Sequence, residues 1–256
     1  MLLTFDIGNT NIHMGGMEEG KVKFACRLSA VTTRTADEYA VLLDSIAKQN
    51  GLDLRSAEGA IIASVVPQLT QVLKSAILTV SGINASILGP GVRTGLNIRI
   101  DDPSQLGGDL VAAAVGAIGY YSTPCIMIDM STATAFGVLD KSGDYIGCII
   151  YPGVMVSQNA LASGASQLLH VGPEAPTRLI GKNTVDSMRS GLVYGTAAVI
   201  DGCIERIEAE LGELATVVIT GDWAGEIPKY CRRKDIINDP DLVMRGLWNI
   251  YRKNKK

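Results

Sequence analysis

Asp6-Ile7-Gly8-Asn9-Thr10-Asn11 places a carboxylate at the end of an apolar run, with a polar turn directly behind it. A carboxylate there can hold Mg²⁺ through water. Gly8 lets a phosphate approach the main chain, and Asn9, Thr10 and Asn11 add short polar donors. The same residue types also build ordinary hairpin turns. A second stretch, Asp129-Met130-Ser131-Thr132-Ala133-Thr134, repeats the arrangement 123 positions later. Two such loops facing each other can grip the β- and γ-phosphates of ATP from both sides. Thr132 and Thr134 would be hydroxyl donors, and Asp129 a second carboxylate for a cation. Thr220-Gly221, read as a strand meeting a helix, would border the adenosine. No GxxxxGK[ST] is present, and Gly181-Lys182-Asn183 lacks both the first glycine and the hydroxyl of that motif.

Composition narrows the chemistry. The 256 residues carry only two histidines, His13 and His170, so a His-rich metal site is excluded. Five cysteines, at 26, 125, 148, 203 and 231, contain no CxxC and fit reduced cytoplasmic thiols packed as small apolar residues. A net charge of −3 argues against a general nucleic-acid binder, and 47% hydrophobic residues argue against disorder. Arg232-Arg233-Lys234 and the Lys253–Lys256 tail read as solvated surface. Catalysis must therefore rest on carboxylates, hydroxyls, amides and backbone. Leu110 to Ile128 carries no charge, but its Gly, Ser, Thr and Pro residues read as buried helix, turn and strand, not as a membrane span.

The elements that position these residues follow from periodicity and punctuation. Strands are predicted at Leu2–Asp6, Ile12–Met17, Lys21–Leu28 and Ile61–Val66. Thr35 and Glu38 form a capping box for a helix that Gly51 stops, and a second helix runs from Pro67 to about Val80. Gly89–Gly108 reads mostly as loop. Asp109 opens an apolar helix, in the simplest case as its N-cap. Cys125–Asp129 is a strand, and Ala133–Leu139 with Tyr145–Ile150 a hairpin. Gly164–Lys182 is loop-rich, with Pro173 and Pro176 against regular structure. Asn183–Leu211 reads as one long helix, Val217–Thr220 as a strand, and Pro240–Arg252 as a final helix. Trp223 and Trp248 read as packing residues on helices. The repeated Asp motifs divide the chain into similar halves, set at residues 1–115 and 116–256.

The three nucleotide elements form the pattern of the acetate kinase, sugar kinase, Hsp70 and actin superfamily. That implies an α/β fold of two ribonuclease H-like halves around a nucleotide cleft. Over essentially its whole length the chain resembles the type III pantothenate kinase (Bvg accessory factor) family. The resemblance rests on the two Asp motifs, Ser64-Val65-Val66-Pro67, Thr94-Gly95-Leu96-Asn97-Ile98, Leu106-Gly107-Gly108-Asp109 and Tyr151-Pro152-Gly153. It continues through Ile180-Gly181-Lys182-Asn183-Thr184-Val185, Met188-Arg189-Ser190-Gly191 and Tyr194-Gly195. It implies ATP-dependent phosphorylation of pantothenate to 4'-phosphopantothenate, the first step towards coenzyme A, in a cytoplasmic homodimer that binds neither nucleic acid nor membrane. Asp109 would accept the proton. Asp6, Ile7, Gly8, Asn9, Thr10, Asn11, Ile12, His13 and Thr132 would bind ATP with Mg²⁺. Asp129 would hold a monovalent cation, K⁺ or NH₄⁺. Ile100, Gly107, Gly108, Asp109, Leu110 and Thr184 would line the pantothenate site, Thr184 reaching the neighbouring subunit's site.

Four positions depart from the family pattern. Leu110 stands where Arg is usual, Ile100 for Tyr, Ser131 for Gly and Asp222 for the last Gly of Thr-Gly-Gly. Leucine loses a charge-assisted contact worth roughly 1.5–3 kcal/mol. Serine at a left-handed position would add roughly 1–2 kcal/mol of strain. The expectations are a kinase with a modified pocket, or a weakened paralogue that binds nucleotide or a pantothenate-like ligand as a regulatory protein.

Overall fold

The computed structural model describes residues 1–172 and 174–255. Pro173 and Lys256, part of the loop and basic-tail readings, lie outside the described residues. The chain forms two compact units, Met1–Tyr120 with Asp241–Lys256, and Tyr121–Pro240.

In the first unit, β1 (Leu2–Ile7), β2 (Asn11–Glu18) and β3 (Lys21–Ser29) form an antiparallel meander, and β4 (Gly59–Ser64) and β5 (Ser86–Ile87) add in parallel, giving the order β3-β2-β1-β4-β5. Strand β1 is apolar on both sides because helices cover both faces. Leu3, Phe5 and Ile7 meet α1 (Ala36–Gln49) and α2 (Pro67–Ser81) through Tyr39, Leu43, Leu69 and Leu73. The predicted capping box is present: Glu38 N–H donates to Thr35 Oγ1 at 3.3 Å, and Thr35 N–H donates to Glu38 Oε2 at 2.7 Å. Pro67 takes the first turn of α2, where its missing N–H costs nothing.

On the other side lie α3 (Gly108–Tyr120) and α7 (Leu242–Asn254). They approach each other at glycines: a Cβ on Gly246 would fall on the Ala112 carbonyl oxygen, and one on Gly116 on the Leu242 carbonyl oxygen. This crossing changes the division expected from the sequence. A boundary at 115/116 falls within α3, and α7 packs with the first unit instead of the second.

The second unit repeats the order. Strands β6 (Cys125–Met130), β7 (Ala133–Leu139) and β8 (Tyr145–Pro152) form the meander, with β9 (Thr216–Thr220) and β10 (Ile237–Asn238) parallel to it, as β10-β9-β6-β7-β8. Ile126, Ile128 and Met130 pack against residues of α5 (Thr184–Ser190), α6 (Thr196–Leu211) and the turn joining them.

Several details differ from expectation. The single helix predicted over Asn183–Leu211 is interrupted by a π turn at Gly191–Gly195, between two glycines that weaken the α ladder. Helix α4 (Val154–Gly164) escapes the pattern because it buries only Val154 and Gln158, leaving Met155, Val156 and Leu161 exposed. After Thr220 the chain enters turns and a short 3₁₀ helix at Ile227–Tyr230, so Trp223 packs from a turn. Cys148 is exposed and Cys26 and Cys203 are partly buried, which leaves Cys125 and Cys231 as core residues. The uncharged stretch divides into α3, a turn with a cis Thr123–Pro124 peptide, and β6. Among the described residues, no helix is long and apolar enough to cross a membrane.

Candidate active site

Strand register brings the first set of residues together. Asp6 is the penultimate residue of β1, opposite His13 on β2 and Ala63 on β4. The turn behind it is closed by the Gly8 N–H, which donates to the Asn11 carbonyl at 2.9 Å. It is tied to the end of β3 by the Ala30 N–H, which donates to the Thr10 carbonyl at 2.9 Å. Asn9 and Thr10 are exposed, whereas the side chains of Ile7 and Ile12 are fully buried, so those two can offer a ligand only their backbone.

Helix α3 starts against the same strand end: a Cβ on Gly108 would lie 3.7 Å from the Ala63 Cβ and the Ser64 nitrogen. A Cβ on Gly107 would fall on Asp109 Oδ1, so only glycine leaves that carboxylate its place. Asp109 lies inside the first turn and is not the N-cap; the Leu110 N–H donates to its Oδ1 at 2.8 Å.

The two carboxylates are electrostatically linked. Burial, and then the charge of Asp109, push Asp6 up to about 7. Burial also pushes Asp109 above the ordinary carboxylate range, outweighing the N–H bonds that lower it. The N–H groups of the first helical turn, which favour the ionised carboxylate, are therefore the smaller effect. Asp6 Oδ1 is buried with no hydrogen-bond partner among the described residues. A shielded carboxylate oxygen beside a second carboxylate suits a divalent cation, and Mg²⁺ is commonly held by one or two carboxylates plus substrate phosphates. Among the described residues, no group of three or more His, Cys, Asp or Glu forms an all-protein cage.

The second unit carries the counterpart. Asp129 is penultimate in β6, opposite the third residue of β7 and the fifth of β9, as Asp6 is opposite the third of β2 and the fifth of β4. Gly221 follows β9 at φ +97°, and a Cβ there would come within 2.7 Å of Asp129 Oδ1. Thr132 is partly buried in the turn. Thr134 shares the core-facing side of β7 with Phe136, and its Oγ1 is buried with no partner among the described residues. That side chain therefore does not sit on Asp129's side of the sheet. Thr184 opens α5 behind the Asn183 N-cap and borders a groove of about 590 Å³ with Leu161, Leu168 and Met188.

The sequence model of the family described as type III pantothenate kinase matches residues 2–206. The chain belongs to this family. A type III pantothenate kinase from Moorella thermoacetica is 40% identical over 254 residues, 99% of this chain and 100% of that protein. A conserved Baf family protein from Campylobacter jejuni has a similar structure, with TM-score 0.64, 17% identity and 98% of each chain covered. The activator of 2-hydroxyisocaproyl-CoA dehydratase from Clostridium difficile, solved with bound ADPNP, matches at TM-score 0.58 and 12% identity, covering 100% of this chain and 98% of its own. The repeated five-strand order and these likenesses show an α/β fold of two five-stranded sheets that this chain shares with both solved structures.

The structure gives this family member's unexplained motifs a physical basis. Gly107 and Gly221 clear space for the two carboxylates. Gly153 packs on the second loop, where a Cβ would fall on the Thr132 carbonyl oxygen. Sequence reasoning assigned Gly107 to the pantothenate site and Gly221 to the adenosine border, but gave neither of them, nor Gly153, this steric role beside a carboxylate or loop. Two departures also lose weight. Among the described residues, positive φ outside glycine occurs at Glu19 and not at Ser131, so the expected strain does not arise. Asp222 is exposed. Ile100 and Leu110 are partly buried, and their apolar side chains carry no hydrogen-bond donor.

Proposed function

We propose that this kinase transfers the γ-phosphoryl group of ATP to the primary hydroxyl of pantothenate, forming 4'-phosphopantothenate, the first step of coenzyme A biosynthesis. The observation that carries the reading is the Asp6–Asp109 pair, joined at one sheet end and echoed by Asp129. Asp109 accepts the hydroxyl proton as the alcohol oxygen bonds to phosphorus and the bond to the β–γ bridging oxygen breaks. Its raised proton affinity suits an acceptor. Phosphoryl transfer needs positioning and charge stabilisation more than covalent help. Residues 6–13 and Thr132 would hold ATP, and Asp6 would hold Mg²⁺, which when bound would supply charge neutralisation at the phosphates. Asp129 is assigned the monovalent cation, K⁺ or NH₄⁺. Ile100, Gly107, Gly108, Leu110 and Thr184 are assigned to pantothenate.

We further assign a homodimer in the cytoplasm. Strand β8 is a sheet edge, and its consecutive Ile149, Ile150 and Tyr151 are all exposed, Ile150 at 69%. Met155, Val156 and Leu161 of α4 are exposed in the same unit. Apolar surface of this kind on a sheet edge favours cover by a second copy. Mass spectrometry of a reaction of protein, MgATP, K⁺ and pantothenate tests the proposed phosphoryl transfer. A product heavier than pantothenate by one phosphoryl group supports it; nucleotide binding with no such product contradicts it.

A further inference from the structure

Residues 88–107 join β5 to α3 and include Ile100 and Gly107, assigned above to pantothenate. Both ends are fixed to β4. The Leu88 N–H donates to the Ile62 carbonyl at 2.8 Å, and Gly108 lies against Ala63 and Ser64. The middle is held from the far end of the chain. The Arg93 N–H donates to Asn254 Oδ1 at 3.0 Å, and Asn254 Nδ2 donates back to the Arg93 carbonyl at 2.8 Å. One side-chain amide thus pairs with both main-chain groups of a residue, as a neighbouring strand would, and that double pairing also fixes which way the amide points. Asn254 Nδ2 donates in addition to the Ile250 carbonyl of its own helix at 2.8 Å.

Lys253 adds a second tie, its Nζ donating to the Thr94 carbonyl at 3.0 Å. Gly95 makes room for it. Its φ of +78° favours glycine, and a Cβ there would fall on the Lys253 ammonium. The helix that provides both residues is itself fixed. Leu247 and Ile250 are fully buried, and the Tyr251 hydroxyl donates to the Glu58 carbonyl at 3.3 Å.

We infer that Asn254, assisted by Lys253, is a positioning residue for the acceptor side of the site: the last turn of α7 sets the path of residues 93–107, and through it the placement of Ile100 and Gly107. The inference rests on the pantothenate reading of those two residues. It gives the Thr94-Gly95 motif a role that phosphate chemistry does not supply.

The test is steady-state kinetics of Asn254→Ala, Asn254→Asp and Gly95→Ala, varying pantothenate and ATP separately. Asn254→Ala should raise the KM for pantothenate roughly ten-fold, the effect of one or two lost hydrogen bonds. The KM for ATP and kcat should stay within about two-fold. Asn254→Asp keeps the acceptor but sets a carboxylate oxygen against the Arg93 and Ile250 carbonyls, so its shift should be at least as large. An unchanged pantothenate KM, or equal changes in both KM values and kcat, would overturn the inference. Amide hydrogen exchange is read in parallel. Faster exchange over residues 93–107 in Asn254→Ala, with β4 unchanged, is expected, and equal exchange would overturn the inference. If the wild-type protein does not turn over pantothenate, the proposed function fails, whereas exchange still decides whether Asn254 holds the loop.

Discussion

Asp109, in the first turn of α3, stands close enough to Asp6, at the end of β1, that its charge adds to burial in raising the proton affinity of Asp6 to about 7. Two carboxylates in one shielded place are unfavourable unless a cation or a proton lies between them. The fold therefore holds a cost that, on the proposed reading, binding of Mg²⁺ with ATP would relieve.

That cost sets a pH dependence for the ligand-free protein. Asp6 binds its proton more tightly folded, at about 7, than unfolded, near its ordinary 3.8. Between those values the folded state carries the extra proton, so stability falls as pH rises, and the penalty is complete above about 7. In EDTA, Asp6→Asn should be more stable than wild type at pH 8, by up to about 4 kcal/mol for a shift of this size. The difference should vanish towards pH 4. Denaturant midpoints at the two pH values check this, and a constant difference would argue against it.

Gly221→Ala should damage the second Asp motif. A Cβ would press on Asp129 Oδ1 and the Met130 backbone at 2.7 Å, from a left-handed conformation. The strain should cost about 1–3 kcal/mol, and thermal protection by ATP should weaken more than that of wild type. Thermal shift with and without nucleotide reads both effects.

Gly246→Ala should loosen the α3–α7 crossing. Its Cβ has no space beside the Ala112 carbonyl, so the helices must separate, at about 1–3 kcal/mol. Because α3 carries Asp109, the loss should show in turnover as well as in the unfolding midpoint.

Leu110→Arg restores the family's usual donor next to the proton acceptor. A charge-assisted bond of roughly 1.5–3 kcal/mol corresponds to a ten-fold or larger gain in kcat/KM for pantothenate. Kinetics of this one variant decide the matter; an unchanged ratio means that the pocket of this chain does not use the position.

Much of this was legible in the sequence. Capping residues, alternation and the Asp echo located nearly every strand and most helices of both units. The echo proved to be a repeated register, with Asp6 and Asp129 at equivalent places in equivalent sheets. What periodicity could not carry was long-range packing. The return of α7 to the first unit depends on Gly116 and Gly246, which look like poor helix residues until a second helix crosses them. The apolar α4 hid because most of its hydrophobic residues are exposed. The π turn and the contact between Asn254 and Arg93 leave no periodic signal at all.

The most direct test of the central claim is ADP release from MgATP in K⁺ buffer, with and without pantothenate, by wild type and Asp109→Asn. ADP formation should depend on pantothenate and fall by roughly 10²–10⁴-fold in the variant, while ATP still protects both proteins from thermal unfolding. Pantothenate-independent ADP release, or a variant as fast as wild type, would contradict the account.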